Sequence, residues 1–254
     1  MKVLIGGALG RMGRELTASA LAAGDEVVCG IDIAWDGSAQ AIPMVREASA
    51  LQAQADVLVD FSHASALPGL LRYAQANGLP LVLCATGYAQ AETDAVAAAA
   101  QSLPILRSAN MSLGINVLEQ LAAMAARVLG DGYDIEIVEK HHRQKLDSPS
   151  GTALMLYDAV ARARGGALKP VFGREGRAAK RGDQEIGIHA VRGGTVTGEH
   201  EVGFYGKSEE LLLIHRAESR ALLAEGALRA ARFIVNQPAG LYTMRDVVAR
   251  MLEA

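Results

Sequence analysis

Three side chains that can transfer a proton or bind an anion lie within five residues of one another: His141, His142 and Lys145. An imidazole exchanges a proton near neutral pH, and a lysine ammonium carries a positive charge. The tripeptide Ser150-Gly151-Thr152 follows and begins a predicted helix, whose first backbone N–H groups suit an anion. A proton donor beside an anion site is what an enzyme that reduces a small acidic substrate needs.

Two other interpretations of this segment have less support. Adjacent histidines on a strand point to opposite faces, so they do not readily bind one metal ion. No cysteine lies nearby, and Glu139 and Asp147 do not complete a convincing ligand set, so we predict no metal. A solvated polar strand end would explain the charges, but not the helix start that follows.

A second group of residues has the pattern of a dinucleotide-binding turn. Gly7, Gly10 and Gly13 come directly after a predicted strand and open a predicted helix. Glycine lets the backbone approach a pyrophosphate, and the helix start supplies N–H donors. The spacing is Gly-x-x-Gly-x-x-Gly, because Leu9 stands at the middle position of the usual Gly-x-Gly. The alternative is an ordinary strand-to-helix turn, which the strand, turn, helix and following acid together disfavour.

That acid is Asp32, at the end of the second predicted strand and 19 residues after Gly13. A carboxylate there accepts hydrogen bonds from an adenosine ribose. It would also repel a 2′-phosphate, and residues 33–38 contain no arginine or lysine. We therefore predict NADH as the preferred cofactor over NADPH, with a modest preference because Arg11 and Arg14 can reach a phosphate.

Two further loops follow predicted strands of the same sheet, namely Cys84–Tyr88 and Ser108–Ser112. Ligands of open α/β sheets bind outside the carboxyl ends of the strands, so both loops are predicted to approach the cofactor. From position alone, each is equally well explained as an ordinary strand-to-helix turn.

The elements that position these residues change in character along the chain. The first hundred residues alternate apolar strands with alanine-rich helices, which predicts a parallel sheet covered on both faces. The predicted strands are 2–6, 26–31, 55–61, 81–85 and 104–108, and the predicted helices are 10–23, 64–76 and 91–101.

After residue 110 the pattern becomes mixed. We predict a helix over 113–129, a strand over 133–140, the helix that begins at Ser150, strands over 185–192, 195–204 and 210–216, and helices over 219–236 and 243–252. Glycine-containing turns between the last three strands predict an antiparallel meander. The polar segment 173–182 is predicted to be a mobile surface loop.

The predicted fold class is therefore α/β, a Rossmann-like doubly wound parallel sheet with a second α+β domain built on a mixed or antiparallel sheet. The dinucleotide-binding domain comprises residues 1–112, completed by the helices of 219–254. Residues 113–218 form the substrate-binding and catalytic domain.

Composition sets limits on function. The chain has 254 residues, half of them hydrophobic, and a net charge of −3, which is typical of a globular protein and argues against nucleic-acid binding. No apolar run approaches the roughly 20 residues that cross a bilayer, so we predict no membrane span. Cys29 and Cys84 lie in apolar strands, which indicates core positions in a reducing compartment. We predict a cytoplasmic location.

The stretch Glu136–Ala153 resembles the signature of the dihydrodipicolinate reductases, also called 4-hydroxy-tetrahydrodipicolinate reductases, of the diaminopimelate route to lysine. The resemblance runs the full length of the chain. Further matching segments are Gly7–Gly13, Asp56–Ser62, Ser108–Asn116, Arg174–Gly176, Ile186–His189, Arg192–Gly194, Gly198–His200 and Pro238–Asp246.

The resemblance implies a role for individual residues. His141 would donate the proton, and Lys145 would be a second catalytic cation. His142 would contact the substrate, a cyclic dicarboxylate, and Gly151 with Thr152 in the Ser150 turn would bind one of its carboxylates. The cofactor would be lined by Gly7, Ala8, Leu9, Gly10, Arg11, Met12, Asp32, Cys84, Ala85, Thr86, Ser108, Ala109, Asn110 and Met111.

The chain departs from the family pattern at several of these positions. Cys84 and Ala85 stand where many members have Gly-Thr, so they would contact the cofactor through their backbones. Met111 replaces a frequent phenylalanine, and Ile33 replaces an arginine that some members carry, which agrees with the NADH prediction.

The resemblance also implies a homotetramer assembled through the second domain. Two alternative functions remain: a dehydrogenase of another small acid, such as a relative of aspartate or homoserine dehydrogenase, and a nucleotide-binding sensor without activity. The histidine–lysine signature disfavours both.

Overall fold

The computed structural model describes residues 1–253, and the chain divides into two compact units. The first unit comprises residues 1–113 and the segment that begins at Arg220, and the second comprises Gly114–Ser219. The strands are β1 (Lys2–Gly6), β2 (Glu26–Ile31), β3 (Met44–Val45), β4 (Val57–Asp60), β5 (Leu81–Leu83), β6 (Pro104–Arg107), β7 (Asp134–His141), β8 (Lys169–Val171), β9 (Glu185–Arg192), β10 (Gly198–Tyr205), β11 (Glu210–Ala217) and β12 (Gly240–Tyr242). The α-helices are α1 (Arg11–Ala22), α2 (Leu67–Asn77), α3 (Gln90–Ala99), α4 (Leu113–Leu129), α5 (Gly151–Ala163), α6 (Ala221–Ile234) and α7 (Met244–Leu252).

The first unit is built on a parallel sheet with the strand order β12-β6-β5-β4-β1-β2-β3. Its strands are mostly apolar between their ends because helices cover both faces. Val3 and Ile5 pack with residues of α1, α6 and α7, whereas Leu4 packs with residues of α2 and α3. The predicted Rossmann-like sheet is confirmed. Because the strands are parallel, the segments that follow β1, β2, β5 and β6 all leave the sheet at one edge.

The second unit is built on a mixed sheet with the order β11-β10-β7-β9-β8. β7 lies at its centre, antiparallel to β10 and parallel to β9. Apolar side chains from one face of this sheet, among them Ile137, Ile188 and Val202, form a core with residues of α4 and α5. β7 therefore alternates between core positions and partly exposed positions along its whole length.

The predicted antiparallel meander is wrong in one respect, because β9 and β10 are not neighbours. β7 lies between them, and β9 pairs with it in parallel. The turn at Gly193 and Gly194 is bound to the end of β7 and does not close a hairpin. Gly193 N donates to His141 O at 2.9 Å, and Arg143 N donates to Gly194 O at 3.2 Å. The glycines of this turn thus hold the segment that contains the two histidines.

Three strands were not predicted: β3, β8 and β12 are only two or three residues long and lie at or next to the sheet edges. The segment predicted as a mobile loop, 173–182, is tied to the second sheet by ion pairs. Arg174 donates to Glu136 Oε1 at 2.8 Å and to Glu185 Oε1 at 2.7 Å, and Arg181 Nε donates to Glu136 Oε1 at 3.1 Å.

Candidate active site

The glycine-rich turn has the geometry of a phosphate-binding helix start. Gly7 has a φ of 71°, which favours glycine. A Cβ on Gly13 would lie 2.1 Å from Gly7 O, so only glycine lets α1 pack against the turn. The first intrahelical bond of α1 runs from Arg14 N to Gly10 O at 3.0 Å. The N–H groups of residues 11–13 therefore have no acceptor within the helix and suit a pyrophosphate.

The side chains in this turn differ in their surroundings. Ala8 is buried in the core, Met12 is partly buried, and Arg11 is exposed. Leu9 contacts Asp32 through its backbone, because the Leu9 N–H donates to Asp32 Oδ2 at 2.9 Å. Asp32 thus joins the turn to the end of β2, a role that the sequence did not reveal.

A cavity of about 810 Å³ opens at this edge of the first sheet. Gly7, Gly10 and Asp32 line it, as do two cations, Arg46 and Arg72. Arg46 follows β3 and donates to Trp35 O at 3.1 Å. The sequence argument for NADH considered residues 33–38 together with Arg11 and Arg14, and the fold brings two more distant arginines, Arg46 and Arg72, to the same cavity.

The loop after β5 presents mostly backbone. Cys84 and Ala85 are buried, whereas Thr86 is exposed. Burial and the nearby Asp60 carboxylate raise the pKa of Cys84 well above its ordinary value, so this residue remains a neutral thiol. Cys84 and Ala85 can therefore contact a cofactor only through backbone atoms.

The loop after β6 is held by its own polar side chains. Ser108 Oγ donates to Asn110 O at 2.8 Å, and Asn110 Oδ1 accepts from Ser112 N at 2.9 Å. Ala109 is exposed, whereas the Met111 side chain is 2% exposed and packs in the core with residues of α6. Met111 can therefore contribute only its backbone to a cofactor site.

In the second unit, His141 ends β7 and is buried. Its Nδ1 lies 2.6 Å from Oε2 of Glu139, two residues earlier on the same face of the strand. His142 lies beyond the strand and is partly buried. The two histidines are therefore not placed to bind one ligand together. Of the two, only His141 belongs to a buried polar cluster.

Glu139 is the centre of that cluster, and its side chain is fully buried. Arg192 of β9 donates to both carboxylate oxygens, from Nη1 to Oε2 and from Nη2 to Oε1, each at 2.7 Å. Ser150 N donates to Oε1 at 2.9 Å. Burial alone would raise the pKa of Glu139, but the hydrogen bonds from Arg192, His141 and Ser150 hold it below its ordinary value.

Lys145 lies in the turn after β7, with a side chain that is 21% exposed. Its Nζ is 2.9 Å from Asp147 Oδ1. Burial lowers the pKa of His141, Glu139 opposes this effect, and the charges of Lys145 and Arg192 add to it. The predicted proton donor and the predicted second cation therefore interact electrostatically.

The start of α5 is attached to the same cluster. Ser150 caps the helix by accepting from Ala153 N at 3.1 Å, and its Oγ lies 3.0 Å from Nε2 of His200. Gly151 is exposed and Thr152 is partly buried. The pKa of the Asp147 carboxyl group is lowered first by Lys145 and also by the nearby backbone of Gly151. The Asp147 carboxylate thus lies near the position where a substrate carboxylate is predicted to bind.

Sequence reasoning missed Glu139, Arg192 and His200 as members of the site. The signal for Glu139 lay in the alternation of β7, where Ile135, Ile137, Glu139 and His141 are the buried positions. A glutamate in a row of core residues requires partners. Arg192 and His200 lie in segments that match the family, but those segments do not indicate contact with Glu139 or Ser150, because that contact depends on how β9 and β10 lie against β7.

Within residues 1–253 no three His, Cys, Asp or Glu side chains are grouped as a metal site would require. No helix in the same range has both the length and the apolar character to span a membrane. A Rossmann-like sheet with a glycine-rich turn, together with a buried histidine–carboxylate pair on a separate sheet, is typical of nicotinamide-dependent oxidoreductases.

Comparison with known proteins narrows this class to one family. The family model described as "Dihydrodipicolinate reductase, N-terminus" matches residues 1–111, and the model described as "Dihydrodipicolinate reductase, C-terminus" matches residues 114–248. The chain belongs to the dihydrodipicolinate reductase family.

Relatives and a solved structure agree with this assignment. Proteins named 4-hydroxy-tetrahydrodipicolinate reductase from Caldanaerobacter subterraneus subsp. tengcongensis and Thiobacillus denitrificans are 43% and 44% identical to this chain. Each alignment covers 98% of this chain, and 99% and 98% of the respective relative. The fold is similar to the structure called "Dipicolinate bound Dihydrodipicolinate reductase from Paenisporosarcina sp. TG-14", with a TM-score of 0.80, 22% identity, and coverage of 96% of this chain and 97% of that one.

Proposed function

We propose that this chain catalyses the NAD(P)H-dependent reduction of 4-hydroxy-tetrahydrodipicolinate to tetrahydrodipicolinate, a step of lysine biosynthesis by the diaminopimelate route. The observation that carries the proposal is the buried His141, bonded to Glu139, at the end of the strand that leads to the start of α5. Membership of the family over nearly the whole chain supports the same reaction.

The residues divide the chemistry between them. The 4-hydroxyl of the substrate leaves as water, and a nicotinamide cofactor, when bound, would supply a hydride to C4 of the unsaturated ring. The electron-rich enamine that results needs a proton on the adjacent carbon, which His141 donates. Lys145 and the N–H groups of the Ser150-Gly151-Thr152 turn stabilise a substrate carboxylate and the charge that develops on the ring, and His142 contacts the substrate.

The first unit holds the nucleotide, and the second holds the substrate. The nucleotide site consists of the turn from Gly7 to Met12, Asp32, and the two loops Cys84–Thr86 and Ser108–Met111. The helix start in the turn suits the pyrophosphate, and the Asp32 carboxylate retains lone pairs for the ribose.

NADH is the preferred cofactor in this proposal. Asp32 repels a 2′-phosphate, and residues 33–38 offer no compensating cation. Arg46 and Arg72 line the same cavity, which keeps the preference modest and leaves NADPH usable. We also propose that the enzyme is a cytoplasmic homotetramer.

The test is a coupled assay, in which dihydrodipicolinate synthase generates the substrate from pyruvate and aspartate semialdehyde, and absorbance reports the oxidation of NADH or NADPH. We expect oxidation that requires the synthase product and a higher kcat/KM with NADH. His141→Ala lowers kcat by roughly 10²–10⁴, the usual effect of losing a general acid, and leaves nucleotide binding unchanged. A nucleotide-binding chain that oxidises neither cofactor would be a sensor or an enzyme of another substrate, and a higher kcat/KM with NADPH would refute the role of Asp32.

A further inference from the structure

The carboxylate of Glu139 contacts only donors in the cluster described above. One oxygen, Oε2, accepts from Arg192 and lies 2.6 Å from His141 Nδ1. The other, Oε1, accepts from Arg192 and from Ser150 N. Glu139 therefore contacts both His141, the predicted proton donor, and the start of α5, where the substrate carboxylate is predicted to bind.

The charge state of Glu139 fixes the protonation pattern of His141. An ionised carboxylate accepts hydrogen bonds and donates none. Arg192 and Ser150 N–H keep Glu139 ionised, so the short contact with His141 requires a proton on Nδ1. Neutral His141 is thus the Nδ1–H tautomer, and Nε2 is the nitrogen that gains and loses the transferred proton.

The Nε2 edge of His141 has room on the side of β10 because residue 198 is a glycine. A Cβ on Gly198 would lie 3.2 Å from Nε2, closer than side-chain carbons normally approach. The ring of His200 lies edge-on, with its centroid 5.1 Å from that of His141. Nε2 of His141, the ring nitrogen that does not contact Glu139, therefore lies next to Gly198, which has no side chain.

Four ionisable groups act on His141 from the elements around it: Glu139 of β7, Arg192 of β9, His200 of β10 and Lys145 of the turn after β7. Burial and the charges of Lys145 and Arg192 lower the pKa of His141. Of the four groups, Glu139 alone is acidic, so it alone stabilises the imidazolium that the reaction consumes.

We propose that Glu139 is a positioning residue, which holds His141 with its proton on Nδ1 so that Nε2 delivers the transferred proton, and which ties that donor to the substrate-binding start of α5. The proposal rests on the proposed function, in which His141 is the proton donor. Arg192 acts through Glu139, because it keeps the carboxylate ionised and correctly oriented.

Glu139→Gln tests this proposal, because glutamine offers one acceptor and one donor to a site that contains only donors. Arg192 contacts both carboxylate oxygen positions, and the Ser150 N–H can act only as a donor. His141 can switch from donor to acceptor at Nδ1, since Nδ1 becomes an acceptor when the ring adopts the other tautomer. The glutamine NH₂ group is therefore expected to face His141 and to convert it to the Nε2–H tautomer.

The first measurement is the nitrogen NMR spectrum of the histidine rings in the unliganded chain. We expect neutral His141 to be the Nδ1–H tautomer in the wild type and the Nε2–H tautomer in Glu139→Gln. We also expect the pKa of His141 to fall by about 1 or more, because an adjacent opposite charge is lost. A wild-type His141 found as the Nε2–H tautomer overturns the proposal, even if the variant fails to fold.

The second measurement is the pH profile of kcat. Activity needs protonated His141 and is lost as the pH rises through its pKa, so Glu139→Gln moves this loss to lower pH by about one pH unit or more. We expect kcat at pH 7.5 to fall by about 10–10³-fold, while the KM for NADH stays unchanged. Glu139→Asp, which retains the charge, should restore the position of the alkaline limb. A lowered kcat with an unmoved limb would mean a merely structural role.

Glu136→Gln is the matched control. Glu136 lies on β7, is largely buried and pairs with Arg174, but it points to the opposite face of the strand from Glu139. It should leave the tautomer and the pKa of His141 unchanged. If the tautomer switches in Glu139→Gln but the wild-type enzyme does not reduce the dicarboxylate, the proposed function fails, and only the control of the His141 tautomer by Glu139 stands.

Discussion

His200 is a buried histidine whose neutral form the fold requires. Burial lowers its pKa to about 4, and the nearby charge of His141 acts in the same direction. The Nε2 atom of His200 lies 3.0 Å from Ser150 Oγ, within hydrogen-bond distance. An unfolded histidine has a pKa near 6.5, so folding favours the unprotonated ring.

This residue predicts acid sensitivity. Because the folded pKa lies below the unfolded one, the stability that neutral His200 contributes is present above about pH 6.5 and is lost as the pH falls toward about 4. We expect the free energy of unfolding to decrease over that range by up to about 1.4 kcal/mol per pH unit from this group, and the decrease to be shallower in His200→Gln. Urea unfolding at pH 7.5, 6 and 5 measures the slope.

Exposed His63 provides the control, and His63→Gln should keep the wild-type slope. Equal slopes for His200→Gln and the wild type would mean that His200 does not carry the acid sensitivity.

At the residue scale, the sequence predicted the contiguous part of the candidate site. Gly7 to Gly13 and His141 to Thr152 are local patterns, and each marks its own helix start. Arg192 and His200 were missed because their roles depend on β9 and β10 lying on either side of β7. No pattern within either segment contains that information.

At the scale of elements, the junction between β1 and α1 depends on Gly13. A Cβ there would meet backbone atoms, 2.1 Å from Gly7 O and 2.6 Å from Ala8 Cα, and backbone cannot rotate away as a side chain can. Gly13→Ala should therefore lower the free energy of unfolding by roughly 1–3 kcal/mol. It should also weaken NADH binding about 10-fold or more, since about 1.4 kcal/mol suffices for that factor.

Urea unfolding and titration of NADH fluorescence measure the two effects. Gly69→Ala is the matched variant, because a Cβ at this helical position meets nothing within 4 Å. Alanine should leave the stability unchanged or raise it by roughly 0.5–1 kcal/mol. Similar stabilities for the two variants would contradict the packing argument.

The elements themselves were predicted unevenly. The helix over 113–129 and the strand over 185–192 were predicted to the residue, because each has a clear period and a distinct end. β3, β8 and β12 have two or three residues, too few to show a period. The parallel pairing of β7 with β9 also could not be predicted, since strand order depends on contacts between distant segments.

At the scale of the whole molecule, the second sheet has an open face. α4 and α5 cover the face that contains Val202 and Phe204, whereas Leu212 and Ile214 of the edge strand β11 are 39% and 42% exposed. By their register with Gly203 and Glu201, they belong to the uncovered face. Apolar residues on an uncovered sheet are typical of a subunit interface.

For the proposed homotetramer, light scattering should give about 107 kDa, four times the 26.7 kDa chain. Leu212→Arg should lower that mass, because a buried unpaired charge is costly. Leu21→Arg places the same change at an exposed leucine of α1 and should leave the mass unchanged. A wild-type mass of 26.7 kDa would refute the tetramer, and an unchanged mass in Leu212→Arg would move the interface elsewhere.

The first unit is assembled from two segments that flank the second unit in sequence, and this sets the order of events during biosynthesis. One face of its sheet, which includes Val3 and Ile5, is covered in part by Ala227 and Ile234 of α6. The ribosome makes the entire second unit before it makes α6. The second unit can thus fold while the nascent chain is growing, whereas one face of the sheet in the first unit stays uncovered until α6 has been made. Chaperones that bind nascent apolar segments would find this face, and premature termination near residue 220 would leave it permanently exposed.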